Sequence, residues 1–232
     1  MNEDLEALLF KGPLLVISPH LDDAVFSCSG VIKGANRSVV HTVFAGDAPP
    51  DRPLLQWDLD CGFVAGDPVM DLRRGEDGVA TSRLGATATW DLELQEGYRT
   101  GDADSGVVEL ALRRAIEDSG PAAVLIPLGL QHTDHLAVAA AGATLIVENR
   151  PSDLAWFVYA EKPYADRHPG LVRERLGELE AAGLRFRRVE LPWRLKRGDL
   201  GAVRSYRSQL KGLRISARRL TLRHERVWRV LP

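Results

Sequence analysis

Two cysteines, Cys28 and Cys61, are all that the chain of 232 residues contains. Two is too few for a disulfide framework or a thiolate metal site, and no Cys-x-x-Cys spacing is present. Cys28 falls in a predicted helix and reads as a buried, inert thiol. Long apolar runs are also missing. Nothing approaches the roughly 18 consecutive apolar residues of a membrane helix, so no membrane span is expected. The run Met1-Asn2-Glu3-Asp4-Leu5-Glu6 is acidic where a secretory leader would be basic. A cytoplasmic location follows as the expectation. Aromatic residues make up only 6% of the chain, and no module pairs them with a basic patch, so nucleic acid is not an expected partner. The glycine-rich Gly-x-Gly-x-x-Gly turn of a dinucleotide-binding fold is absent from the end of the first apolar run.

What remains is a composition of 45% apolar and 27% charged residues, that of a globular protein able to bury a core. Charge is unevenly spread. Residues 181–232 hold 15 basic and 3 acidic side chains, against 15 basic and 29 acidic before them. Either the basic segment lies on an acidic body, the commoner arrangement, or it meets an anion.

Apolar runs predict strands near 13–18, 38–45, 86–92, 122–128, 154–160 and 185–191. Helical periodicity lies near 24–36, 71–84, 104–119, 133–149, 170–183 and 197–211. This alternation predicts a single α/β domain over 1–232, Rossmann-like, with a mostly parallel sheet and helices on both faces. The Pro-rich stretch from Ala48 to Pro53 starts an irregular loop running to about 70. Trp57 lies in it, either lining a cleft or pinning the loop to the body.

Two short clusters carry the chemistry. His20-Leu21-Asp22-Asp23 follows Leu14-Leu15-Val16-Ile17, and His132-Thr133-Asp134-His135 follows the run from Ala123 to Leu128. Loops leaving the carboxyl ends of parallel strands share one edge, where ligands bind. Imidazole and carboxylate groups converging there with open positions left over suit a catalytic zinc ion or another divalent transition metal. Three of the six histidines lie in the clusters; His41, His168 and His224 are isolated. Structural alternatives remain open: Asp22 or Asp23 as a helix cap, Asp134 as the cap of the later helix, and His132 packed against a neighbouring loop.

The clusters resemble the signatures of the N-acetylglucosaminyl-phosphatidylinositol de-N-acetylase (PIG-L, LmbE-like) family. Those are a His-Pro-Asp-Asp-Glu run after the first strand and a His-x-Asp-His run after a later one. Arg73-Arg74-Gly75-Glu76-Asp77 and Tyr206-Arg207-Ser208-Gln209 extend the resemblance in the same order. It implies a zinc-dependent hydrolase that removes the N-acetyl or other N-acyl group from an amino-sugar conjugate, most often an N-acetylglucosaminyl compound. By position, the metal ligands it implies are His20, Asp23 and His135, with Asp22 as general base. His132 would stabilise the oxyanion or donate a proton, and Asp134 would orient His132 and raise its pKa. Leu21 replaces the proline and Ala24 the glutamate; neither is a ligand position.

Substrate contacts are expected from Arg74, whose planar fork suits hydroxyls or phosphate, and from Asp47 and Asp91 after the second and third strands. Each has an alternative as an ion-pair, cap or turn residue. Trp90 and Tyr98 offer an apolar face to a sugar, or belong to the core. The competing readings are another metal-dependent hydrolase such as a phosphoesterase, which would want a second carboxylate-rich metal site, and a non-catalytic sugar- or nucleotide-binding module. Composition leaves association into a homo-oligomer open.

Overall fold

The computed structural model describes residues 12–49, 52–97, 104–149 and 154–232. Seven strands form one sheet: β1 (Leu14–Ser18), β2 (Ser38–Thr42), β3 (Thr87–Trp90), β4 (Ala123–Pro127), β5 (Ala155–Tyr159), β6 (Phe186–Arg188) and β7 (Val227–Val230). Their order is β3-β2-β1-β4-β5-β7-β6. The pairs β3–β2, β2–β1, β1–β4 and β4–β5 are parallel, whereas β7 runs antiparallel to both β5 and β6.

Central strands are apolar throughout because both of their faces are covered. Every residue of β1, β4 and β5 is buried. Successive side chains divide between two layers. Leu14, Val16, Leu125 and Phe157 enter one cluster, and Leu15, Ile17, Val124, Ile126 and Val158 enter the other. On the first side lies α1 (Asp23–Gly34). On the second lie α4 (Ser105–Ser119), α5 (Thr133–Glu148) and α7 (Pro169–Ala181). The remaining helices are α2 (Gln56–Cys61), α3 (Val69–Arg83), α6 (Tyr164–Arg167), α8 (Leu200–Val203), α9 (Arg207–Gly212) and α10 (Ala217–Leu222), with a 3₁₀ turn at Trp193–Leu195.

Three local expectations are corrected. The loop after β2 holds a helix, α2, that Asp58 stabilises by accepting the Leu55 amide at 3.1 Å. The helix expected over 197–211 is two short ones, α8 and α9, interrupted at Arg204–Tyr206. The last strand, β7, lay outside the expected set.

The order places β1 beside β4, and chain direction across the sheet reverses between them: β2 and β3 extend one way, β4 and β5 the other. This is the switch point at which an open α/β sheet leaves a crevice. The two clusters leave from the two strands that flank it.

Candidate metal centre

At the end of β1 the chain turns tightly. Ser18 Oγ donates to the His20 carbonyl at 2.6 Å and accepts the Ala24 amide at 3.0 Å. Asp23 Oδ2 accepts the His20 amide at 3.0 Å. Leu21 is fully buried against Ala45 and Met70, so apolar packing anchors the turn at the position where the resembled signature has proline. Asp22 occupies the N-cap position of α1, yet its side chain makes no capping bond. Its carboxylate is left to face the crevice.

At the end of β4 the loop reaches α5 through Gly129 (φ 86°) and Gln131 (φ 64°). His132 caps α5, its Nδ1 accepting the Asp134 amide at 3.2 Å. Asp134 is therefore not the cap. His135 lies in the first turn of α5 and is completely buried.

The clusters meet. His20 Nδ1 lies 3.2 Å from Asp23 Oδ2, His135 Nε2 lies 3.1 Å from the same oxygen, and the two ring nitrogens are 3.3 Å apart. These atoms make a nearly equilateral triangle. Three corners of a tetrahedron with bonds near 2.05 Å stand about 3.3 Å apart, so the triangle has the size that zinc with nitrogen and oxygen donors requires. The hydrogen bonds at the far side of each ring agree. His20 Nε2 donates to Asp134 Oδ2 at 2.8 Å, and His135 Nδ1 donates to Glu161 Oε1 at 3.3 Å. In its neutral form each ring would therefore keep its proton on the outer nitrogen and turn its lone pair to the centre of the triangle. His20, His132 and Asp134 form a second group with donor atoms within 4.8 Å of one another. It shares His20, whose Nε2 proton is already committed to Asp134.

Electrostatics favour a cation at this point. Burial works to lower the His20 pKa, but hydrogen bonds to Asp134 and Asp23 raise it well above the ordinary value. His135 likewise rises to about 9 against burial, through the Asp23 charge and its bonds to Asp23 and Glu161. Burial raises the Asp23 carboxyl, yet His135 and His20 outweigh that and hold it far below the usual range. Asp22 is pushed up to about 7 by burial and by the Asp23 charge, with Arg73 and His20 opposing. The carboxylates around the two rings thus stabilise positive charge at the centre.

His132 differs from expectation. Its Nδ1 is 3.7 Å from Asp134 Oδ2, too far for a hydrogen bond, because that oxygen is taken by His20 and by the Gly97 amide at 2.9 Å. Asp134 orients a member of the triangle, not His132. Burial and the nearby His20 charge lower the His132 pKa, and Asp134 does not reverse this. With Nδ1 accepting from backbone, the neutral ring carries its proton on Nε2 and still donates.

His20 and Asp23 of the triangle line a cavity of about 310 Å³ together with Asp22, His132, Arg73, Glu96, Trp57, Tyr164, Gln209 and Leu213, and His135 is buried beneath them. Arg73 is buried and paired with Glu96 at 2.7 Å.

The chain matches the GlcNAc-PI de-N-acetylase (PIG-L) family over residues 15–146, more than half its length and both clusters. The protein belongs to the PIG-L family. It is therefore a hydrolase of the de-N-acetylase class. A relative in Streptomyces fradiae, 2'-N-acetylparomamine deacetylase, is 30% identical over 203 residues, covering 79% of this chain and 68% of that one. Among solved structures, the zinc-inhibited form of teicoplanin deacetylase Orf2 superposes with a TM-score of 0.76 at 24% identity, over 94% of this chain and 98% of that one. The A40926 pseudoaglycone deacetylase Dbv21 does so at 0.69 and 24%, over 94% and 96%. At these identities the two structures establish a shared fold.

In this PIG-L protein the residues expected to touch substrate lie elsewhere. Arg74 spends its guanidinium on the Ala45 carbonyl at 2.6 Å, Asp47 at 2.8 Å and Asp71 at 2.5 Å. Arg74 and Asp47 thus satisfy each other outside the cavity. Asp91 caps the turn after β3 by accepting the Glu93 and Leu94 amides at 2.9 and 3.2 Å. Trp90 donates to Asp77 at 2.8 Å and packs with Leu21, Ala45 and Met70, the core alternative. Tyr98 lies outside the described residues. Trp57 does both things foreseen for it, packing with Cys61, Phe63 and Val69 while lining the cavity. Sequence reasoning missed Arg73, Glu96, Glu161, Tyr164 and Gln209. Arg73 and Gln209 were inside quoted motifs, but only the turn of α3 decides which of two adjacent arginines faces inward. Glu161 follows an apolar strand and carries no motif signal.

Proposed function

We propose that the chain is one LmbE-like deacetylase domain over 1–232 that binds a single zinc ion through His20, Asp23 and His135. In this reading it hydrolyses the N-acetyl group of an amino-sugar conjugate of N-acetylglucosamine type. The observation that carries it is the triangle of donors 3.1–3.3 Å on a side, beside an Asp22 side chain not used in capping. When bound, zinc supplies Lewis acidity to a carbonyl and acidifies water.

The residues do the rest. Asp22 accepts a proton from the attacking water, its carboxylate lining the cavity and not used in capping. The water oxygen bonds to the amide carbon, and His132 Nε2–H stabilises the charge that grows on the carbonyl oxygen. As the C–N bond breaks, the proton held by Asp22 passes to the leaving nitrogen, giving acetate and a free amine. Arg73 and Glu96, held together and buried, present a donor and an acceptor to sugar hydroxyls. Trp57, Tyr164 and Leu213 offer apolar surface to the ring or its aglycone. Deacetylation of 2'-N-acetylparomamine by the Streptomyces fradiae relative supports an amino-sugar conjugate as substrate. Cytoplasmic residence is part of the proposal, supported by two buried free thiols and no disulfide. Among the described residues no helix is long and apolar enough to cross a membrane.

The test is amine release from a panel of N-acetylglucosamine conjugates, run with metal analysis of the same preparation. One zinc per chain, activity abolished by chelation and restored by zinc, and equal yields of acetate and amine are expected. Full activity in metal-free protein, or cleavage of phosphate esters with two ions bound, would contradict the proposal.

A further inference from the structure

We infer that Glu161 is a positioning residue that sets the coordinating face of His135 and, with the same carboxylate, holds the loop that delivers His132. The inference rests on the metal reading above.

Glu161 follows β5 and is fully buried. Its Oε1 accepts the Gly129 and Leu130 amides, each at 2.8 Å, and its Oε2 accepts the Leu128 amide at 3.2 Å. Two successive amides of one loop therefore converge on one carboxylate oxygen, while the Leu128 amide is shared between the other oxygen and the Tyr159 carbonyl at 2.8 Å; such converging N–H groups attract an anion. The loop has little freedom otherwise: Gly129 has φ 86°, and a Cβ there would lie 2.6 Å from Ala139 Cβ. It leads directly into His132. The same Oε1 is 3.3 Å from His135 Nδ1. Both oxygens of Glu161 already act as acceptors, so the proton of a neutral His135 belongs on Nδ1 and the lone pair on Nε2, in the triangle.

Glu161 is itself clamped from the far side. The next residue, Lys162, donates its amide to Ser27 Oγ at 2.9 Å and its ammonium to the Leu220 and Arg223 carbonyls at 3.0 and 2.9 Å. These contacts tie the end of β5 to α1 and α10. The ring of His135 is thus oriented by a residue whose chain neighbour is fixed to two helices. Such outer carboxylates are worth about 10–100-fold in metal affinity.

The experiment measures zinc affinity by chelator competition for the parent, Glu161→Gln and Glu225→Gln, and records histidine ¹⁵N–¹H spectra of the zinc-loaded parent. Glu225 is a buried carboxylate bonded to the Gly30 and Val31 amides at 2.7 and 3.1 Å, so its variant reports general loss of a buried acid. Glu161→Gln should bind zinc about 10–100-fold more weakly, with Glu225→Gln unchanged. In the parent, His135 should keep its proton on Nδ1 and coordinate through Nε2. Glu161→Gln binding like the parent, or losing no more than Glu225→Gln, would overturn the inference. So would coordination through Nδ1 of His135, a result that needs no folded variant. A parent that binds no zinc, or whose His135 signals ignore it, would instead bring down the metal reading itself.

Discussion

Asp22 and Asp23 are chain neighbours with opposite surroundings. Asp23 lies between two imidazoles that stabilise its charge, whereas Asp22 is buried beside that charge and climbs to about 7. In the proposed reading the first holds the metal and the second exchanges the proton. Asp22→Asn should retain zinc while lowering kcat about 10²–10⁴-fold, the usual worth of a general base; steady-state kinetics beside metal analysis checks this. Asp134 makes a sharper discrimination. Because its carboxylate holds His20, Asp134→Asn should weaken zinc binding about 10–100-fold. Unchanged affinity with a loss confined to kcat would return Asp134 to the role of aligning His132. That two short polar runs would meet was legible in the sequence because each followed an apolar strand, while the choice of His20, Asp23 and His135 among them came from the family resemblance. The roles of Asp134, Arg73 and Glu161 were not legible, since they depend on rotamers and on which turn of a helix faces the crevice.

At the scale of elements, the apolar runs 13–18, 122–128 and 154–160 correspond to β1, β4 and β5, whose burial on both faces makes them readable. β7 escaped notice because Val227-Trp228-Arg229-Val230 is short and follows a run of charged residues. The break at Arg204–Tyr206 was hidden because Tyr206, buried and bonded to Asp77 at 2.6 Å, continues the apolar pattern while the helix stops. Helix α1 has its own break. Cys28 has φ −137° and ψ 16°, and Glu225 accepts the amides that follow. Gly30 faces the 3₁₀ turn so closely that a Cβ would lie 2.6 Å from the Arg197 carbonyl and 2.8 Å from that of Leu195. Backbone cannot yield as a side chain can. Gly30→Ala should therefore destabilise the protein by about 1–3 kcal/mol, read as a lower urea midpoint, and zinc affinity should fall much less than in Asp134→Asn.

Over the whole molecule, the basic C-terminal segment touches the body through charged side chains. Arg226 pairs with Asp166 at 3.1 Å and Lys33 of the body pairs with Asp199 at 2.7 Å, while Arg188 stacks on Trp228 at 4.4 Å. What the segment gives the cavity is Gln209 and Leu213, not a cation. Its buried acid, Glu225, sets a pH dependence. Burial raises its carboxyl from 4.5 to about 7, despite Lys162 and two backbone amides. The folded state then holds a proton that the unfolded state has released, so this contribution is complete below pH 4.5 and is lost as pH rises through about 7. Urea unfolding should show Glu225→Gln gaining stability relative to the parent between pH 5 and 8; a difference independent of pH would contradict it.

The sheet order draws these scales together, since only the adjacency of β1 and β4 brings residues 20 and 135 into contact. Zinc-edge X-ray absorption of protein loaded with one equivalent tests that convergence most directly. Two imidazole nitrogens and oxygen donors at about 2.0–2.2 Å are expected, with one imidazole lost in His135→Ala. A sulfur shell near 2.3 Å, or a spectrum unmoved by His135→Ala, would contradict it.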